Sequence, residues 1–308
     1  MSYELRADET LGDGLRRIVC RQIEDAICAS RAKQNGKDSP VHKTRKHLKK
    51  ARAALRLVRG EIDRGVWKRE DRWLGKVGQL ISEVRDAEVR LQTVRELREL
   101  ARGKKRGFAE TEELLAFELD SFIAAFSEWP REAEERLGQT LERIRDWPLD
   151  KLGCKRLREN VQKTYKRGRQ VLKTATKKTS TKNLHAFRKR AKELSYQLRL
   201  LRPLAPAVFK EINDELKTIG EHLGQLHDLA FVAQRLSSIG PARKEGHRLL
   251  NALIASRKDE LESTAIALGQ RFYAERPGQF ARRISRYFSK WETVKVCCAH
   301  NEWVQIKH

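Results

Sequence analysis

Apolar residues recur at helical spacing along most of this chain. In the segment from Pro40 to Arg59, Leu48, Ala51, Leu55 and Val58 fall on one side of a helix that advances about 100° per residue. In the segment from Asn183 to Leu201, the residues Phe187, Ala191, Leu194, Leu198 and Leu201 do the same. Leu, Arg, Lys, Glu and Ala dominate, and the alternation of β-branched residues that marks strands is missing. The pattern predicts helices over Leu11–Lys33, Pro40–Arg59, Trp67–Arg102, Glu110–Glu128 and Pro130–Arg145. After the Trp147-Pro148 break it predicts Leu149–Thr174, Asn183–Leu201, Pro206–Ile239, Pro241–Ala274 and Gln279–Trp291. The stretch Thr174–Thr181 reads as a loop, and Trp67, Trp73, Trp129 and Trp147 as packing residues.

The polar sides of two of these helices are unusual. His42, Arg45, Lys46, Lys49 and Arg56 share one narrow sector, opposite the apolar positions. His185, Arg188, Lys189, Lys192, Tyr196 and Arg199 occupy the matching sector of the second helix. Lys50 and Arg52 sit at the edges of the first sector. Cation neighbours at i,i+4 repel by a few tenths of a kcal/mol each, so helix surfaces normally mix signs. Here Arg45–Lys49 and Arg188–Lys192 go uncompensated within their helices, which calls for an anion from outside.

The two segments are copies. His42 aligns with His185, Arg45 with Arg188, Lys46 with Lys189, Lys49 with Lys192 and Arg56 with Arg199, all at an offset of 143. The next helices repeat as well, at 142: Arg85-Asp86 falls on His227-Asp228, Gly78 on Gly220 and Ile81 on Leu223. The expected fold is all-α, built of two pseudo-symmetric four-helix bundles, 1–147 and 148–308. If the two basic faces converge, His42 and His185 line one cavity.

Charge sharpens the reading. The 308 residues carry a formal net charge of +24, with 39 % hydrophobic and 35 % charged residues. Such a balance implies a polyanionic partner: nucleic acid, an acidic membrane or a phosphate polymer. Between Lys151 and Lys192 there are 16 basic residues against the single acid Glu159, whereas Phe108–Glu142 holds 10 acids against Arg131 and Arg136. The charge is therefore concentrated in particular places. Cys20, Cys28, Cys154, Cys297 and Cys298 lack CxxC spacing and read as free thiols of a reducing cytosol. No apolar run approaches the ~18–20 residues that span a bilayer, so the expectation is a soluble, cytoplasmic protein without a membrane partner.

Catalytic signatures are lacking: there is no GxSxG, no P-loop and no paired-glutamate spacing. His222 and His227, five apart, do not share a helical face as metal ligands would. The reading is a non-enzyme with no metal or cofactor. Asp86 and Asp228 are expected to orient nearby Arg or Lys, while Arg85 and His227 either reach the ligand or pack.

The segments His42-x-x-Arg45-Lys46-x-x-Lys49-Lys50-x-Arg52 and His185-x-x-Arg188-Lys189-x-x-Lys192-x-x-x-Tyr196, with Arg85-Asp86 and Leu223-Gly224-x-x-His227-Asp228, resemble the CHAD family (conserved histidine α-helical domain). The resemblance runs from about Leu11 to Trp291. It implies two similar four-helix bundles about a pseudo-two-fold axis and non-catalytic binding of inorganic polyphosphate in a central basic groove or pore. The E-x-E-x-K signature of a preceding triphosphate tunnel domain is absent, so the chain resembles the standalone type, a cytoplasmic protein that associates with polyphosphate granules. By that implication the contacts are His42, Arg45, Lys46, Lys49, Lys50, Arg52, Arg56, His185, Arg188, Lys189, Lys192, Tyr196 and Arg199. The first rival is a protein whose cations bind nucleic acid non-specifically, although no helix-turn-helix spacing or aromatic platform accompanies them. The second is a hydrolase of phosphate polymers in which Asp86 or Asp228 positions a metal.

Overall fold

The computed structural model describes residues 3–33, 38–101, 108–239 and 245–288, with side chains omitted at 239 and 245–247. Its helices are α1 (Leu11–Arg31), α2 (Pro40–Leu55), α3 (Arg64–Leu80), α4 (Ser82–Leu100), α5 (Ala109–Ala125) and α6 (Trp129–Arg145). They continue with α7 (Cys154–Lys177), α8 (Thr181–Leu200), α9 (Pro206–Ile239), α10 (Glu245–Phe272) and α11 over 277–288. Among the described residues there is no strand beyond an isolated bridge between Arg59 and Ile62. The protein is all-α, as its periodicity predicts. The expected helix over Gln279–Trp291 ends outside the described residues, as does Cys297-Cys298.

Local chemistry sets the helix starts. Thr10 caps α1 by accepting from the Asp13 amide at 3.1 Å, and Asp63 caps α3 through the amides of Gly65 and Val66. Both basic helices start on a serine: Ser39 Oγ accepts from the His42 amide at 3.0 Å, and Ser180 Oγ from the Asn183 amide at 3.3 Å. Each such cap satisfies an otherwise orphaned donor and contributes about 1 kcal/mol.

Three boundaries differ from the sequence expectation. Helix α2 stops at Leu55 because the chain turns back through Gly60, whose φ of +97° suits only a residue without Cβ. The helix expected over Trp67–Arg102 is two helices, interrupted at Ile81 (φ −104°, ψ 19°). There the Ser82 hydroxyl donates to the Gln79 carbonyl at 2.6 Å, a local bond that competes with the helix ladder. Its counterpart α9 runs 34 residues without a break. Finally, α7 extends to Lys177, leaving only a short connection before α8 where a loop over Thr174–Thr181 is expected.

One apolar core runs through both halves of the chain, taking Leu15 and Ile23 from α1, Leu48 and Leu55 from α2, Phe187 and Leu198 from α8, and Ile219 and Leu223 from α9. Trp67 and Trp147 join it, whereas Trp73 lies beneath the cations Lys76 and Arg136. Equivalent helices meet each other, α2 against α8 and α4 against α9. Polar bonds cross the same seam: Gln197 Nε2 donates to the Ala53 carbonyl at 3.3 Å, and Asn160 Nδ2 to the Leu57 carbonyl at 2.8 Å. This seam is what brings the two basic helices together.

Candidate polyanion site

The apolar stripes of α2 and α8 are fully used in the core, which fixes the rotation of each helix and turns the cationic sectors to a shared face. Arg45 donates from Nη1 to the carbonyl of Gly78 on α3. On the other side, Lys192 lies so close across α9 that a Cβ on Gly220 would stand 2.9 Å from its Cε. Arg188 crosses the same helix at Gly224. Gly220 and Gly224 therefore let the cationic side chains of Lys192 and Arg188 lie close against α9. The His185 ring packs on the His227 ring with centroids 4.1 Å apart and 32° between planes, and His227 rests in turn on Phe231.

Electrostatics couple the cationic faces of the two repeats. Lys49 reaches solvent, yet enough protein surrounds its ammonium to push it down to about 7. Desolvation is the main cause, followed by Arg45, Arg188, Arg85 and Lys192, so helices α2, α4 and α8 all contribute. Burial, then Arg85, Lys46 and Lys49, lowers His42 to about 4 against the counteracting pull of Asp38. Burial, then Lys189, Arg188 and Lys49, lowers His185 to about 4. Lys49 is thus a common neighbour of both repeated histidines. His227 falls to about 3 for the same reasons, desolvation first and His185 next.

The carboxylates do not discharge this cluster. Asp86 and Asp228 are raised, the latter to about 6, because desolvation outweighs the fields of Arg45 on one and Arg188 on the other. Neither makes an ion pair within 4 Å among the described residues, contrary to the expectation that they clamp a cation. The acids concentrated in Phe108–Glu142 go elsewhere: Glu118 binds Arg235, Glu112 binds Arg98 and Glu134 binds Arg31. Lys46, Lys49, Lys189 and Lys192 stay without an acidic partner within 4 Å among the described residues. Buried nitrogens also stand unbonded here: Nδ1 of His185, Nδ1 of His227 and Nε of Arg188. Buried polar atoms are nearly always hydrogen-bonded in folded proteins, so three unbonded nitrogens beside one another set this region apart.

The remaining five candidates lie differently. Arg52 makes a two-point contact with Asp71 of α3, 2.9 Å at both oxygens, and Arg56 pairs with Asp71 at 3.4 Å and with the buried Glu193 at 3.5 Å. Burial would push the Asp71 carboxyl up, but the Arg52 hydrogen bond and the Arg56 charge hold it below its usual value. These two arginines are internally neutralised. Helical spacing puts Arg56 in the cationic sector and Arg52 at its edge, and it could not see the acids brought by α3 and α8. Lys50 is buried with its ammonium 5.2 Å from the Tyr3 ring centre, Tyr196 meets the same ring edge-on at 6.5 Å, and Arg199 is exposed beside them. Lys50, Tyr196 and Arg199 form a satellite group around Tyr3. Arg52→Ala is accordingly expected to cost about 1–2 kcal/mol of stability by removing the two-point partner of Asp71 and leaving it only Arg56, with ligand affinity changed less than threefold. Chemical denaturation beside a binding titration checks this.

Arg85, His227 and Asp228 belong to the cluster, and their signal in the sequence was the matched offset of α4 and α9 rather than any motif. The fold and this site define an all-α protein with a cation cluster assembled from two repeated halves. The chain belongs to the CHAD domain family, whose sequence pattern matches residues 18–237. A solved structure, the CHAD domain from the plant Ricinus communis, superposes with a TM-score of 0.55 at 17 % identity, covering 92 % of this chain and 94 % of that one. No curated protein matches the sequence. Among the described residues no helix is long and apolar enough to cross a membrane.

Proposed function

We propose that the protein binds inorganic polyphosphate, without catalysis, in the cluster formed by Arg45, Lys46, Lys49, Arg85, Arg188, Lys189 and Lys192 with His42, His185 and His227. The observation that carries this reading is the convergence of uncompensated cations from both repeats around Lys49. A flexible polymer with one charge per phosphate suits such distributed donors, with Arg supplying forked contacts and Lys compact charges. The unbonded nitrogens of His185, His227 and Arg188 supply further donors once phosphate oxygens arrive. The cellular place that follows is the cytoplasm, in association with polyphosphate.

Binding is expected to take up protons. Lys49 titrates at about 7 in the free protein, and a neighbouring phosphate chain raises that value. Above pH 7 the ligand must therefore bring a proton with it, so affinity falls as pH rises, by up to tenfold per pH unit between about pH 7 and 9. Calorimetric titration with polyphosphate of defined lengths across pH and salt tests both points. Steep salt dependence from counterion release is expected, and Lys49→Arg should flatten the pH profile. No binding of any length at low salt would sink the reading.

A further inference from the structure

Helix α7 carries a second electropositive surface, separate from the cluster. Its apolar side, with Leu157, Val161, Tyr165 and Leu172, is buried, and the helix packs on α8 and α10. Its outer side exposes Lys155, Lys163, Lys166, Arg167, Lys173 and Lys177, none within 4 Å of an acid among the described residues. The stripe runs about 33 Å along a straight helix at ~1.5 Å per residue.

Helix α1, which precedes the other basic helix as α7 precedes α8, provides an internal comparison. Its arginines are all spent: Arg16 on Asp13, Arg17 on Glu9, Arg21 on Asp25 and Arg31 on Glu134. The two halves share the groove-facing pattern, yet only the second leaves its outer helix charged. Compensation was available to this fold, and on α7 it reaches Arg156, paired with Glu61 and Glu159, but not the six cations of the outer stripe among the described residues.

We infer that the outer face of α7 is a docking surface for double-stranded nucleic acid, bound through its phosphate backbone without sequence preference. The shape and chemistry favour this polyanion over a flexible one. A convex, straight row cannot enclose a mobile chain, as a cluster drawn from four helices can, but it can lie along a rigid duplex whose charges repeat every ~1.7 Å of axis. The α7 aromatic, Tyr165, is fully buried and stacked on Phe280, so no exposed ring of this helix offers the base-stacking platform that single strands need. Backbone contacts by Lys and Arg position a duplex and carry no sequence information.

The test uses the full chain and a mixed-sequence DNA duplex labelled for fluorescence anisotropy, over a salt series. The variant Lys155→Glu/Lys166→Glu/Lys173→Glu/Lys177→Glu is compared with a control carrying the same change of net charge elsewhere, Arg64→Glu/Lys68→Glu/Arg72→Glu/Lys258→Glu. The α7 variant should lose at least about 100-fold in duplex affinity and flatten the slope of log K against log salt by about 3–4. The control should lose less than tenfold, short polyphosphate should bind the α7 variant normally, and saturating short polyphosphate should leave the wild-type duplex complex intact. Equal losses in both variants would reduce the effect to net charge and overturn the inference. Duplex binding abolished only by changes at Lys49 and Lys192 would overturn it too, as would loss of polyphosphate binding with α7. Failure of polyphosphate to bind the wild type at all would instead strike the function proposed above and leave this surface standing.

Discussion

Reversing Lys46, Lys49, Lys189 and Lys192 together to glutamate is expected to abolish polyphosphate binding, by at least about a thousandfold at moderate salt, while the protein keeps its helicity and melting temperature. The binding loss follows because each neutralised phosphate releases counterions, and four such contacts become four repulsions. The folding result follows from the structure: three of these lysines are exposed, the fourth is half-buried, and none has an acidic partner within 4 Å among the described residues. Lys49 is held near neutral pH by desolvation first and by its cationic neighbours next, so the folded state already pays for crowding these charges together. Removing that repulsion should leave stability unchanged or slightly raised. Titration and a thermal melt on one preparation decide it. Unfolding of the variant would mean that these lysines anchor the fold.

Phe187→Ala is expected to have the opposite profile, a loss of about 3–5 kcal/mol in stability with the folded protein still able to bind. Phe187 is fully buried on α8, on the side away from Arg188 and Lys192, and packs against the Tyr273 ring at 6.1 Å. Truncation leaves a cavity where α7, α8 and the segment after α10 meet around Tyr165, Tyr273 and Phe280. For a chain of this size that loss lowers the melting temperature by about 5–8 °C. Phe117→Ala, at a side chain 71 % exposed, should change stability by less than about 0.5 kcal/mol. Binding measured well below the melting point should fall by less than tenfold, since the cations sit on the other side of the helix. A large affinity loss in a folded Phe187→Ala protein would show that α8 packing sets the cluster's geometry directly.

The contrast between these two predictions reflects how each helix face is specified. A period-3.6 stripe of Leu, Ala, Val and Phe states in the sequence which side of α2 and α8 is buried, and every position of that stripe is buried, with Lys50 and Glu193 buried beyond it. The cationic sector is then fixed as the opposite side, so Arg45, Lys49, Arg188 and Lys192 could be chosen from spacing alone. The caps are local too: Ser39 and Ser180 each accept from an amide only three residues away.

Pairing was not legible in this way. Arg56 carries the same sequence signal as Lys49, with Arg52 at the edge of the sector, and only the arrival of Asp71 and Glu193 from other helices separates structural cations from free ones. The break at Ile81 was hidden as well, since α3 and α4 continue one apolar period and the interruption depends on a single hydroxyl. Asp86 and Asp228 invited the simple reading of ion pairs. Among the described residues their carboxyls instead make no ion pair within 4 Å and rise with burial, a balance that depends on three-dimensional distance.

By itself the sequence determined an all-helical chain, a duplicated unit and two cationic helix faces, because periodicity and capping are local properties that each segment carries with it. The tertiary structure alone decided that the two faces meet around Lys49, that His185 stacks on His227, and which arginines find acids. Those outcomes depend on distances of a few ångströms between residues more than a hundred positions apart, and Coulomb and desolvation energies change steeply over that range.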